Sequence, residues 1–193
     1  MRPDARNEGG DAFVLFDFER RPLIDEGTLK ERYLRLAANC HPDAPGGHDG
    51  DFYLLQEAYK VLREPATRLR HLIELDFPDH VPGSGHAPHA ELFLRAGSAV
   101  QVARGVSQRF EKANSALARA LLSPEIAEAL RQIREASEAV RKADDELVDE
   151  LRALDARWPD VSPDELSALA LSFKFLARWQ AELSEWEFRL STG

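Results

Sequence analysis

The chain has a single cysteine, Cys40, among its 193 residues. One thiol excludes an internal disulfide framework and any multi-cysteine zinc site. No apolar run approaches the roughly 18 residues that a membrane-spanning helix needs, and the first residues lack the apolar stretch of a secretory signal. We therefore expect a cytoplasmic protein that contacts no membrane and carries no cofactor or metal.

Positive charge is also scarce. The chain has 25 lysines and arginines against 34 aspartates and glutamates, which gives a net charge of −9. Nucleic-acid binding needs a surplus of cations, so nucleic acid is not an expected partner. Hydrophobic residues make up 44% of the chain, enough for packed cores. Leu, Ala, Glu and Arg dominate, which predicts an all-α fold.

Two amphipathic segments flank the tripeptide His41-Pro42-Asp43. Pro42 ends the first segment because it lacks an amide donor and restricts the residue before it to extended geometry. Each segment repeats its apolar residues at helical spacing, so each has one apolar face. These faces should pack together as an antiparallel helical hairpin with the tripeptide at its tip. The residues that form them are Leu29, Tyr33, Leu36 and Ala37 in the first helix, and Phe52, Leu55, Tyr59 and Leu62 in the second.

The segments around this hairpin are shorter. The apolar run 13–16 fits either a strand or a short first helix and should close the base of the hairpin. Asp25 or Thr28 can cap the first hairpin helix, and Pro65 can begin a further helix after the second.

The rest of the chain carries three long helical patterns. The first spans 90–122, and Ser123-Pro124 predicts the start of the second, because proline suits the first helical position. Ser162 and Glu165 have the spacing of a capping box at the start of the third. These patterns predict an antiparallel three-helix bundle. We divide the chain into a flexible tail (1–10), the hairpin domain (11–77), a Pro/Gly-rich linker (78–89) and the bundle (90–193).

The hairpin resembles a J-domain, the module by which co-chaperones stimulate DnaK-type ATPases. The resemblance rests on the tripeptide in its turn and on the run 57–62, Glu-Ala-Tyr-Lys-Val-Leu, which is similar to a run in the family's third helix. Phe13, Leu15 and Phe16 fit the family's first helix.

The whole layout resembles a narrower family, the HscB co-chaperones, in which a helical bundle follows the J-domain. The Phe-x-Leu-Phe opening, the segment 64–68 and the segment 173–176 are similar to that family. The Gly/Phe-rich stretch and cysteine-rich repeats of most other J-proteins are absent from this sequence. The resemblance implies that the J-domain recruits a DnaK/HscA-type ATPase and that the bundle binds an IscU-type iron–sulfur scaffold.

The resemblance also implies the roles of the tip and of the helix before it. Asp43 would accept hydrogen bonds from a chaperone arginine, Pro42 would hold the backbone, and His41 would make a hydrogen-bonding contact. A basic face before the tip would steer the encounter with an acidic chaperone surface. That face consists of Lys30, Arg32 and Arg35.

The candidate client-binding residues are Leu92 and Phe93 on the first bundle helix, with Lys174 and Phe175 on the third. Arg95 and Ala96 replace a Met and a Glu of the HscB family, which leaves an alternative open. The chain would then be a J-domain adaptor for a different client, or a self-associating J-protein without an iron–sulfur role. No nucleophile–base set, phosphate loop or metal quartet is present in the motifs, so we do not expect an enzyme.

Overall fold

The computed structural model describes residues 10–40, 48–81 and 89–192, and within these ranges it contains helices and no strand, as the composition predicts. The tripeptide 41–43, more than half of the predicted linker and most of the predicted tail lie outside these ranges. The helices are α1 (Ala12–Leu15), α2 (Glu26–Cys40), α3 (Asp49–Arg63), α4 (Pro65–Asp76), α5 (Ala90–Lys112), α6 (Ala116–Ala156) and α7 (Pro163–Thr192).

The chain divides into two compact units. The first combines residues 1–85 with 149–170, and the second combines 86–148 with 171–193. The first unit therefore includes the last turns of α6 and the first turns of α7. The domain limits drawn from the sequence stay a prediction.

The core of the first unit is the predicted hairpin. Helices α2 and α3 pack side by side, and Tyr33 stacks on Tyr59 with ring centroids 4.3 Å apart. Leu29, Leu55 and Leu62 are buried between them. The apolar faces predicted from helical spacing are therefore confirmed.

The run 13–16 proves to be mostly helical, which decides between the two alternatives left open by the sequence. Asp11 caps α1 by accepting from the amides of Phe13 at 2.9 Å and Val14 at 3.3 Å. Phe13 and Phe16 are buried in the same core as the hairpin. At the start of α2, Asp25 rather than Thr28 is the cap, since its carboxylate accepts from the Thr28 amide at 2.7 Å.

The start of α4 satisfies the carbonyls that the end of α3 leaves without helical partners. The Thr67 hydroxyl donates to the Val61 carbonyl at 2.8 Å. The Arg68 guanidinium donates to the carbonyls of Leu62 at 2.7 Å and Pro22 at 2.9 Å. Arg68 is only 2% exposed, and burial lowers the pKa of its guanidinium to about 10. It is therefore still charged at pH 7.

The segment 149–170 completes the first unit. The buried Asp155 carboxylate accepts two hydrogen bonds from the Arg21 guanidinium and one from the Leu23 amide, at 3.0 Å. Trp158 packs against the hairpin core and meets the Phe77 ring edge-on, with centroids 6.4 Å apart. The loop that leads into α2 is thus held by the end of α6.

In the second unit, α5, α6 and α7 contact each other in pairs. Ion pairs join Arg95 to Glu135 and Arg109 to Glu125, so residues later in α5 meet residues earlier in α6. These two helices therefore run in opposite directions. Small and branched side chains fill the space between the helices. Those buried on the three helices include Ala96, Val100, Ala103, Val106, Ile133, Ala136, Val140, Phe173, Leu176 and Leu183.

The predicted break at Ser123-Pro124 is wrong. Pro124 lies inside α6, and the chain breaks earlier, between Lys112 and Ala116. The Ser115 hydroxyl caps α6 by accepting from the Ala118 amide at 3.1 Å. Arg119 donates to the Ala113 carbonyl at 3.2 Å. These side-chain contacts join the start of α6 to the segment that follows α5 and so stabilise the earlier break. Pro124 lies within α6 and does not end it.

The predicted capping box at the start of α7 is confirmed. The Ser162 hydroxyl accepts from the Asp164 amide at 3.2 Å, and the Glu165 carboxylate accepts from the Ser162 amide at 3.1 Å. The hydrogen bond from Arg157, followed by that from the Ser162 amide, lowers the pKa of Glu165. The box is therefore fully formed above the ordinary pKa of a glutamate and is lost as the pH falls through the lowered value.

We predict that Arg68→Leu destabilises the hairpin, because it leaves the buried carbonyls of Leu62 and Pro22 without donors. The expected loss is about 2 kcal/mol in the free energy of opening, measured by hydrogen exchange at the α3 amides. The control is Arg70→Leu, because the Arg70 side chain is 66% exposed and its loss should cost less than about 0.5 kcal/mol. If the α3 amides are equally protected from hydrogen exchange in the two variants, Arg68 does not stabilise the hairpin as we predict.

Candidate functional site

The outer face of α2 carries two exposed cations, Lys30 and Arg35. Neither has a carboxylate within 4.0 Å among the residues that the structure describes. Helix α2 buries the opposite face against α3. The packing of the hairpin therefore leaves these two charges on a surface that a partner protein can reach.

Arg32 occupies a different position from the other two predicted cations. Its guanidinium donates to the carbonyls of Phe16, at 2.7 Å, and Asp17, and it lies 4.5 Å above the centre of the Phe18 ring. These contacts tie α2 to the loop that follows α1. Its role as a chaperone contact stays a prediction, but its charge is already engaged by the protein.

The tripeptide His41-Pro42-Asp43 lies outside the described residues. The structure does describe the helices on either side of it. Helix α2 ends at Cys40, α3 begins at Asp49, and the two helices pack along each other. The segment that contains the tripeptide therefore connects two helices of one hairpin.

A second candidate site is an apolar groove of about 230 Å³ between α5 and α7. Phe93 meets the Trp179 ring edge-on, with centroids 5.2 Å apart. Phe93 is 50% exposed and its neighbour Leu94 is 70% exposed. The lining residues are His89, Ala90, Leu92, Phe93, Leu94, Phe175, Leu176 and Trp179.

This groove brings together three of the four candidate client-binding residues: Leu92, Phe93 and Phe175. Lys174 is exposed on α7 and does not line it. The sequence analysis missed Trp179 and Leu94. Trp179 follows Phe175 by four residues, and residues four apart share a helix face, so this spacing could have identified it.

We also searched the described residues for a metal site and for a membrane-spanning helix. Within these ranges no group of three or more His, Cys, Asp or Glu side chains could hold a metal ion. The His80 ring lies 3.0 Å from the Ser167 hydroxyl, a structural contact within the first unit. None of the described helices is long and apolar enough to cross a membrane.

Comparison with known proteins supports the J-domain resemblance. Over 64 residues the chain is 42% identical to "Chaperone protein DnaJ" of Nostoc punctiforme. The match covers 32% of this chain but only 16% of that relative. No family model matches the chain, and no solved structure matches it. The chain is thus similar to one segment of a DnaJ chaperone and spans less than a fifth of that relative's length.

We predict that Arg32 and Arg35 differ in their effect on stability. Arg32→Gln removes the hydrogen bonds to Phe16 and Asp17 and the contact with Phe18. The expected loss is about 1–3 kcal/mol in the free energy of unfolding, measured by urea denaturation. Arg35→Gln is the matched control and should change stability by less than about 0.5 kcal/mol. If both variants lose the same stability, Arg32 has no special structural role.

Proposed function

We propose that this chain is an HscB-like co-chaperone. Its J-domain would stimulate the ATPase of a DnaK/HscA-type chaperone, and its helical bundle would deliver a client to that chaperone. The client would be an IscU-type scaffold in iron–sulfur cluster assembly. In this role the chain performs no chemistry itself, so the proposal does not include an enzyme activity.

The similarity to DnaJ carries the recruitment part of this proposal. It agrees with the position of His41-Pro42-Asp43 between two helices that pack as a hairpin. The exposed Lys30 and Arg35 on α2 add a cationic surface on the same hairpin. An acidic chaperone surface would be attracted to this face, which raises the association rate more than the lifetime of the complex.

The proposed mechanism at the tip is a docking event. Asp43 would accept charge-assisted hydrogen bonds from a chaperone arginine. Pro42 limits the backbone conformations of the loop, so less conformational entropy is lost on docking. Stimulation of ATP hydrolysis requires that this contact bind one state of the chaperone better than another, because only differential binding shifts the populations of the two states.

The delivery part of the proposal relies on the second unit. The pairwise contacts of α5, α6 and α7, with α5 and α6 running in opposite directions, support the antiparallel three-helix bundle expected after an HscB-like J-domain. The exposed apolar groove between α5 and α7 is a surface suited to a client, because apolar grooves with aromatic walls are typical of protein recognition sites. The segments 64–68 and 173–176 that resemble the HscB family support the iron–sulfur assignment.

The alternative is a J-domain adaptor for another client, or a self-associating J-protein. Arg95 and Ala96 favour it, since they replace a Met and a Glu of the HscB family on the first bundle helix. Both versions use the same tip to recruit the chaperone and differ only in what the bundle binds.

We predict that His41→Gln abolishes stimulation of the chaperone's ATPase. The expected effect is a loss of about tenfold or more, typical of a residue that dominates a docking contact, measured as the hydrolysis rate at increasing co-chaperone concentration. His48→Gln is the control, because His48 precedes α3 and makes no side-chain capping bond. Unchanged stimulation by His41→Gln would contradict chaperone recruitment through the tripeptide.

We predict that the full chain binds an IscU-type scaffold through the groove. Phe93→Ala should weaken binding about tenfold, as expected for a central aromatic contact, measured by calorimetric titration. Phe188→Ala is the control, since Phe188 is also an exposed aromatic residue, on α7, but does not line the groove. If the unmodified chain does not bind the scaffold, the iron–sulfur assignment fails. Sedimentation would then distinguish self-association from a monomeric adaptor.

A further inference from the structure

The first amide of α1 is held by a histidine from another helix. Ala12 is the first residue of α1, so its amide has no acceptor within the helix. Asp11 caps the next two amides, those of Phe13 and Val14. The Ala12 amide donates instead to Nε2 of His71 on α4, at 3.1 Å. This hydrogen bond therefore joins the start of the short first helix to α4.

Packing holds the His71 ring in the orientation that this bond requires. The side chain is 13% exposed, and its ring stacks on the Phe13 ring with centroids 5.8 Å apart and planes inclined by 8°. Phe13 is itself buried in the hairpin core. A tilt of the imidazole away from Ala12 would therefore give up the stacking contact as well as the hydrogen bond.

The contact with Ala12 fixes the protonation state of the ring. A backbone amide can only donate, so Nε2 must keep its lone pair, and the neutral ring carries its proton on Nδ1. Histidine ordinarily takes up a second proton near pH 6.5, and both ring nitrogens then carry hydrogens. The Nε2–H group would face the Ala12 N–H group, two donors with no acceptor between them. The bond between α1 and α4 therefore exists only while His71 is neutral.

The charged groups on α4 and α3 do not offset the loss of this bond. Glu74 lies 4.0 Å from Nδ1 of His71, the nitrogen that already carries a proton in the neutral ring. Its side chain is 63% exposed and lies 3.7 Å from Arg70, so it attracts an imidazolium only weakly. Helix α3, which packs against both α1 and α4, brings no described carboxylate within 4.0 Å of a His71 nitrogen.

The charges at the start of α1 are already paired. Helix α1 has no charged residue of its own. The Asp11 carboxylate before it lies 2.7 Å from the Arg20 guanidinium, which also meets Asp76 at 2.9 Å. Because Arg20 balances the charge of Asp11, this carboxylate gives little further stabilisation to a cation beside Ala12.

We infer that His71 makes the docking of α1 sensitive to pH in the range where histidine titrates. Above this range the neutral ring holds the first turn of α1 against α4. As the pH falls through the range, the hydrogen bond is lost and α1 detaches more often from the base of the hairpin. The inference depends on contacts within the first unit and does not require the proposed co-chaperone function.

The test measures hydrogen exchange in the full chain at about pH 7.5 and about pH 5.5, on either side of the ordinary histidine range, after correction for the intrinsic pH dependence of exchange. The reporters are the amides of Phe16 and Phe18, which donate to the carbonyls of Ala12 and Phe13. The equilibrium constant for opening should rise roughly threefold to tenfold on acidification, the effect of losing one hydrogen bond.

Two variants assign this response to one imidazole. His71→Gln keeps an acceptor oxygen near the position of Nε2 but does not titrate in this range, so its opening constant should change by less than about twofold. His48→Gln is the matched control, because it also removes one imidazole, from an exposed position before α3, and it should keep the full response. An unmodified chain that opens equally at both pH values, or a response of the same size in His71→Gln, would overturn the inference.

A spectroscopic titration of the unmodified chain covers the case in which His71→Gln weakens α1 at every pH. In nuclear magnetic resonance spectra the Ala12 amide proton should shift along the same titration curve as the ring nitrogens of His71. An Ala12 amide that stays constant while His71 titrates would overturn the inference. Neither result bears on chaperone recruitment, which is tested separately by the ATPase stimulation of the His41 variant.

Discussion

The arrangement of the first unit depends on one buried cation. The Arg68 guanidinium joins the end of α3, at the Leu62 carbonyl, to the loop before α2, at the Pro22 carbonyl. Burial of a guanidinium disfavours its charged form and lowers the pKa of Arg68 to about 10. Burying this side chain therefore costs free energy unless its N–H groups donate hydrogen bonds. The buried position persists because two buried carbonyls require donors that no backbone amide supplies. Together with the hydrogen bonds that Asp155 accepts from Arg21 and Leu23, this junction holds the loop that leads into α2.

Three arginines of the first unit show how position decides the role of one residue type. Arg68 is buried at a helix junction, Arg32 lies over Phe18 at a loop, and Arg35 is exposed without a described ion pair. Only the last has its full charge available for a partner. A cationic surface on α2 therefore consists of Lys30 and Arg35, and Arg32 contributes mainly to the connection between α1 and α2. The hairpin can present charge on its outer face because its inner face and its base are held by contacts within the unit.

The helical periodicity and the capping motifs predicted much of the fold, because they depend on local spacing that the sequence displays directly. The faces built on Leu29 and Leu55, the start of α4 at Pro65 and the capping box at Ser162 follow this rule. The break at Ser123-Pro124 was mispredicted because a proline inside a helix and a proline at its first turn look alike locally. The burial of Arg68 and the pairing of Asp155 with Arg21 could not be predicted, since arginine and aspartate are usually exposed and their partners lie far away in the sequence. The groove was partly predicted: Phe93 and Phe175 were singled out, but their proximity depends on how α5 packs beside α7.

The face of α2 proposed to meet the chaperone carries the exposed cations Lys30 and Arg35, although the chain has a net charge of −9. At long range this net charge would repel an acidic partner. At physiological salt, however, the screening length is about 8 Å, so a partner that approaches α2 responds mainly to the charges near its own contact. Lys30 with Arg35 is then a local attractive site on a repulsive background. Most of the other described arginines are paired with carboxylates of the same chain. Arg141 and Lys142 on α6 are also exposed without an ion pair among the described residues, so free positive charge by itself does not distinguish the α2 face from the rest of the surface.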